Sequence, residues 1–303
     1  MKILTLLPLS ICVLPLFGCN KVDKITVYTR DTTSGTRDGF FTNIGFSKAS
    51  TENTDLADGY VELAGNGDII QAIKNDENGI GYISLSTLET STLKGLEYNG
   101  VTATTENVLN ETYKLTRNFN YIVRDDLGAT KEGKIVEAFQ AFLSTKNALE
   151  TINSKYGIVN IPGDAKSWND IKDSYPICKE DNSDITIRFG GSTSVQTMGK
   201  ALSAEFSSLC GGFITDHNHT GSGDAYKNTQ GSEKDSINKL HIGFLSRELK
   251  ESEKAAEKTS GRLCIDAIVA VVNKSNNYSN TTATELKNIY KGTIVTWSEL
   301  KGK

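Results

Sequence analysis

Proline is scarce, with four residues among 303, and no proline-rich or low-complexity stretch divides the chain, so two independent domains strung on a linker are not expected. Cysteine is equally thin. Of five, Cys12 and Cys19 fall in the first nineteen residues, leaving Cys178, Cys210 and Cys264. Three widely spaced cysteines imply neither a disulfide framework nor a metal cluster; buried free thiols are the expectation, with oxidation of one pair outside the cell as the alternative. The three histidines are His217, His219 and His241. His217 and His219 lie two apart in a polar stretch without the further ligands a metal needs, which reads as a solvated loop. Gly-x-x-x-x-Gly-Lys-Ser/Thr, Gly-x-Ser-x-Gly and His-Glu-x-x-His are all missing, which removes the usual nucleotide-hydrolysing, serine-hydrolase and zinc-protease signatures. There is no basic surplus either. A formal net charge of -4 argues against a nucleic-acid footprint and gives no general attraction for anions, so any anion site must be built locally. Beyond residue 19 no apolar run is long enough to cross a bilayer.

Residues 1–19 combine a basic start at Lys2 with an apolar run broken by Pro15, the pattern of a secretory signal. The run ends in Leu16-Phe17-Gly18-Cys19, which resembles a bacterial lipobox and predicts lipid attachment at Cys19. Simple cleavage and secretion, or a retained N-terminal anchor, are the other readings, and all three place the remainder outside the cytoplasm. The length suits two domains rather than one. Short apolar segments at 25–29, 80–84, 121–124, 185–189, 241–246 and 268–273 alternate with helical patterns such as Ile135, Phe139, Phe142 and Leu143, or Met198, Leu202 and Phe206. This predicts an α/β fold with mixed, mostly parallel sheets and interleaved lobes.

Four stretches carry candidate chemistry. Arg30-Asp31-Thr32-Thr33-Ser34-Gly35-Thr36 follows a strand and opens a helix, which presents free backbone N–H groups at the positive end of a helix dipole. Arg30 adds a charged fork, Ser34 and Thr36 add hydroxyls, and Gly35 permits close approach; an ordinary capped helix with a surface arginine is the alternative. Gly190-Gly191-Ser192-Thr193-Ser194 repeats the logic before a helix expected from 195 to 209, where Ser194 is either an N-cap or an oxyanion donor. Thr220-Gly221-Ser222-Gly223-Asp224 offers another glycine-flanked hydroxyl or a common loop. Ser246-Arg247 ends a strand, where α/β folds place ligands, or is a surface pair before a helix around 248–256. With no general base beside them, these groups fit capture of an anion better than its conversion, so no enzyme is expected.

In their order these residues resemble the phosphate-binding proteins of bacterial ABC importers. The family's Gly-Ser-Ser/Thr-Thr/Ser-Val turn, Gly-Ser-Gly loop and strand-end Ser-Arg occur here from Gly191 to Arg247, followed by Asp266-Ala-Ile-Val-Ala-Val-Val-Asn273 and Asn288-Ile-Tyr-Lys-Gly-Thr-Ile-Val-Thr-Trp297. The family's next pieces, Arg-x-x-x-Ser-Gly-Thr and a Gly-Tyr strand, stand instead at the front, as residues 30–36 and Gly79-Ile80-Gly81-Tyr82-Ile83-Ser84. The chain therefore reads as a circular permutant. The resemblance implies a two-lobed periplasmic-binding-protein-like fold of type II, with residues 24–117 and 264–303 in one lobe and 118–263 in the other. Hinge strands are expected near 117–124 and 263–267. It also implies a phosphate site of Arg30, Ser34, Gly35, Thr36, Thr193, Ser194, Val195 and Ser222, with Arg247 at the strand end, and implies no cofactor. The expected partners are inorganic phosphate, an ABC permease and, through the lipid, the membrane, for a monomer on the extracytoplasmic face. Some family members carry an aspartate where Arg247 stands, to accept the proton of hydrogen phosphate. Here that task would fall to another carboxylate such as Asp31 or Glu248. Sulfate or molybdate binding, a surface phosphate sensor and an extracellular phosphatase are the alternatives.

Overall fold

A computed structural model describes residues 23–301; the signal and lipobox readings, Cys12 and Cys19 included, lie outside the described residues. Eleven strands are found among them: β1 Thr26–Arg30, β2 Val61–Leu63, β3 Gly79–Ser84, β4 Lys94–Gly95, β5 Glu97–Tyr98, β6 Thr116–Val123, β7 Thr186–Gly191, β8 Ile214–Asn218, β9 Ile242–Leu245, β10 Ser260–Val272 and β11 Asn280–Thr281. Nine of these join one sheet in the order β2-β1-β3-β10-β6-β9-β7-β8, with β4 also paired to β10. Both ends of the sheet are parallel, as β2-β1-β3 and β9-β7-β8. The middle is antiparallel, where β10 pairs with β3 and β6, and β6 with β9.

Two large cores flank this middle. The first gathers Phe40, Phe41, Tyr82, Leu115, Tyr290 and the end of β10 from Ala267 to Val272; the Phe40 ring stacks on Tyr82 at 4.0 Å. The second gathers Phe119, Phe139, Phe142, Trp168, Phe189, Phe206 and Phe244, with Leu263 and Cys264 from the start of β10. Each large buried side chain contributes about 1.5–3 kcal/mol, so either core is substantial by itself. Strand β10 runs through both, whereas β6 starts just after Leu115 of the first core and gives Phe119 and Val123 to the second. The two strands pair residue for residue from Ser260↔Ile122 to Ala267↔Thr116 with one bulge between Arg262 and Cys264.

Helices start where caps permit. Ser34 caps Gly35–Asn43 by accepting from the N–H groups of Thr36 and Arg37, and Thr130 caps Lys131–Phe142 through the N–H of Gly133; each satisfies an otherwise orphaned donor. No helix among the described residues is long and apolar enough to cross a membrane.

Four expectations need correction. Cys178 and Cys210 form a disulfide, and Cys264 is the one free, buried thiol among the described residues; the partners are 32 residues apart, a proximity that spacing does not encode. The helix after the second motif is Gln196–Leu209 with Val195, not Ser194, at its N-cap. Residues 248–256 form turns instead of a helix, because Glu253 folds back to pair with Arg247 and accepts from the Lys250 N–H. His217 lies on edge strand β8, with His219 just beyond it, stacked between Phe189 and Phe244, so the expected solvated loop is a partly buried strand end.

Candidate functional site

The C-terminal end of β1 delivers Arg30, whose backbone is held from two sides. Its N–H donates to the Tyr82 hydroxyl at 3.1 Å, and its carbonyl accepts from Arg37 Nη1 at 2.7 Å. Arg37, fully buried, also donates to Ala49 O, Glu52 O and Asn53 Oδ1 and pairs with Glu62 at 3.2 Å, so the second arginine of the motif is a structural brace. Arg30 differs. It is 1% exposed, and its guanidinium donates to Ala64 O, Asn66 Oδ1 and Thr193 Oγ1. Among the described residues it forms no ion pair with a carboxylate. Burial pushes its pKa below the usual arginine range, with Tyr82 and Asp31 opposing that shift.

The second motif meets the first at Ser194. Its Oγ receives Asn66 Nδ2 at 3.0 Å and Arg117 Nη2 at 3.0 Å, and lies 2.9 Å from Thr36 Oγ1. Since one hydroxyl has two acceptor sites and one donor, Ser194 accepts from the two nitrogens and donates to Thr36. Its own N–H is held by Ser192 Oγ, and the Val195 N–H donates to Ser192 O. Gly191 makes this turn possible: its φ is +94°, a left-handed backbone that side chains disfavour.

The third and fourth motifs close the ring. Ser246 Oγ lies 2.9 Å from Ser192 Oγ and 3.0 Å from Ser222 Oγ, and the Ser246 N–H donates to Ser222 Oγ. Gly35 packs against both serines so closely that an added Cβ would sit 2.7 Å from each Oγ and 2.8 Å from the Ser246 carbonyl carbon. The structure thus brings Arg30, Ser34, Gly35, Thr36, Thr193, Ser194, Val195 and Ser222 together. It places Arg247 apart: that guanidinium makes two 2.7 Å bonds to the Glu253 carboxylate and one to Glu248 O. The carboxylates considered as proton acceptors are also engaged elsewhere. Asp31 caps Thr33, and exposed Glu248 accepts from Asn118.

Sequence reading missed Ser246 as a participant, and it missed Asn66, Arg117 and Asp266 altogether. Arg117 pairs with Asp266 through Nε at 3.0 Å and Nη2 at 2.9 Å, and Asp266 Oδ1 accepts from Ser84 Oγ at 2.6 Å. Burial pushes the Asp266 carboxyl up, and Arg117 counters it; burial likewise pushes Arg117 down against Asp266. The only available signal was the strand period, which puts Arg117 opposite Asp266 once β6 and β10 are paired in register. Behind the second motif, His219 Nδ1 donates to Ser192 O at 3.0 Å, with His217 and Ser203 continuing the chain. Both imidazoles are held down to about 4, chiefly by burial, and are neutral near pH 7.

Comparison with known proteins agrees with this architecture. Residues 178–303 match the PBP superfamily domain. The chain is 27% identical over 279 residues to the phosphate-binding protein PstS 2 of Streptococcus pneumoniae serotype 4, covering 91% of this chain and 88% of that protein. It is 25% identical to PstS 2 of Streptococcus agalactiae serotype V, over 91% and 87% respectively. The crystal structure of a phosphate ABC transporter, phosphate-binding protein from Streptococcus pneumoniae TIGR4 superposes with a TM-score of 0.61 at 25% identity, over 91% of this chain and 99% of that one. The resemblance read from the motifs is borne out across nearly the whole chain, and the fold is periplasmic-binding-protein-like.

Proposed function

We propose that this protein captures inorganic phosphate between two lobes and presents it, outside the cytoplasm, to an ABC permease. One observation carries the reading: the Arg30 guanidinium is buried with no carboxylate partner in the described residues and reaches Thr193 Oγ1 of the second motif, whose Ser194 and Ser192 join the hydroxyls of the other motifs. A buried unpaired cation costs several kcal/mol, and a bound oxyanion offsets that cost. Arg30, Ser34, Gly35, Thr36, Thr193, Ser194, Val195 and Ser222 form the proposed contact set, with Ser246 added. Arg247, whose two Nη groups are held by the Glu253 carboxylate, fixes the strand end instead of the ligand.

Residues 24–117 with 264–303 make one lobe in this reading and 118–263 the other, joined by β6 and β10 as hinges; the two cores support this division except that Ile158 packs in the first and Cys264 in the second. Phosphate favours the closed arrangement because contacts from both lobes exist only there. The similarity spans 279 aligned residues and so includes both sequence halves, which supports a motif order shared with these relatives; the permuted relation to other family members remains the reading from the motifs. Lipid attachment at Cys19 would hold the protein at the membrane, and the Cys178–Cys210 disulfide favours an oxidising, extracytoplasmic location. The relatives' names support a transport role without catalysis.

A second reading, a fully ionised oxyanion such as sulfate, is favoured by one feature: Asp266, the carboxylate that touches the cluster through Arg117, has both oxygens engaged, Oδ1 by Ser84 and Oδ2 by Arg117. Calorimetric titration with phosphate and then sulfate near neutral pH separates the two. Phosphate binding undiminished by excess sulfate supports the first reading, whereas displacement by equimolar sulfate establishes the second.

A further inference from the structure

The Arg117–Asp266 pair lies where β3, β6 and β10 meet, since Arg117 pairs with Asp266 across the two long strands and Ser84 ends β3. Its geometry is asymmetric. The Nε and Nη2 groups of Arg117 face Asp266 Oδ2, and Nη2 also donates to Ser194 Oγ. Nη1 is buried and makes no hydrogen bond. A guanidinium is planar, so the outer N–H groups of Nη1 and Nη2 point in parallel from one edge. One prong of that edge is on Ser194, and the other is therefore directed to the same side, toward the hydroxyl cluster. The Phe119 ring lies 5.2 Å from the guanidinium carbon, and Asp266 holds the opposite edge, so the side chain is fixed in this orientation. A buried charged group with a free donor is costly unless something accepts from it.

We propose that Arg117 is a second anion-binding arginine, donating through Nη1 to an oxygen of the bound tetrahedral oxyanion while Asp266 positions it. This rests on the oxyanion reading of the site and extends it, because it puts a ligand contact on β6, the strand paired along its length with β10, which contributes to both cores. Binding then acts directly on the segment about which the cores would move. Arg30 and Arg117 bring two positive charges against the single carboxylate of Asp266, leaving one net positive charge to be met by the ligand.

Phosphate titration of wild type, Arg117→Lys and Arg30→Ala tests the assignment. Lysine keeps the charge but supplies no fork, so Arg117→Lys should bind about 10- to 100-fold more weakly. Binding is read on the folded protein, so this loss is independent of any stability lost with the weakened Asp266 pair. Wild-type affinity in Arg117→Lys would overturn the proposal while leaving the phosphate reading intact; failure of wild type to bind either phosphate or sulfate would overturn both. Should Arg117→Lys not fold, a crystal structure of the wild-type protein with phosphate decides. A phosphate oxygen about 2.7–3.1 Å from Arg117 Nη1 sustains the assignment, and an oxyanion beyond its reach refutes it.

Discussion

Gly35→Ala isolates closure from ligand contact. Gly35 is the first residue of its helix and contributes no side-chain donor, yet a methyl group there would overlap Ser222 Oγ, Ser246 Oγ and the Ser246 backbone. The two serines turn rotamers cheaply; the backbone carbon does not. Forcing an extra methyl into such a contact costs about 1–3 kcal/mol. Because the contact joins groups packed on different cores, the cost falls on the closed arrangement alone, which translates into about 5- to 150-fold weaker phosphate binding. Alanine is a better helix former than glycine, so the ligand-free protein should melt no lower than wild type. Calorimetry gives the affinity, and small-angle scattering with saturating phosphate shows whether the molecule still compacts. A Gly35→Ala protein that binds phosphate as tightly as wild type would refute the argument that close approach at this residue is required for closure.

Two further outcomes follow from the same structure. Reducing the Cys178–Cys210 disulfide, or replacing both cysteines by serine, removes a constraint on a loop of 32 residues' separation and should lower stability by about 3–4 kcal/mol on the chain-entropy account, read as a shift in urea midpoint. His217, His219 and His241 are all depressed to about 4 from an ordinary 6.5, mainly by burial. The unfolded chain therefore binds protons that the folded one refuses, so stability is full above about pH 6.5 and declines as pH falls toward 4. Allowing for partial solvent access, the loss is on the order of 1–3 kcal/mol per histidine. A melting temperature flat between pH 7 and 4.5 would contradict it.

Much of the site was legible because it is built from local units. Strand, glycine-hydroxyl turn and helix are encoded within about ten residues, which is why residues 30–36 and 190–195 could be read as anion loops before their meeting was known. What could not be read depends on pairing over distance. Arg117 and Asp266 are 149 residues apart and become partners only through the register of β6 and β10. The disulfide likewise requires knowing that the short turn at Pro176–Lys179 returns to the end of the helix Gln196–Leu209. Arg247 misled for a local reason: Glu253, six residues on, captures its fork and unwinds the helix expected there. The histidines looked solvated because their neighbours are polar, whereas their cover of Phe189 and Phe244 comes from other strands.

Arg30 is the buried guanidinium without a carboxylate partner among the described residues, and thermal melting of wild type and Arg30→Ala with and without phosphate tests most directly whether it binds the oxyanion. Phosphate at about 100 times its dissociation constant should stabilise wild type by about 2.7 kcal/mol, or roughly 4–5 °C for a chain of this size, and should leave Arg30→Ala unmoved. Equal stabilisation of both proteins would contradict the account.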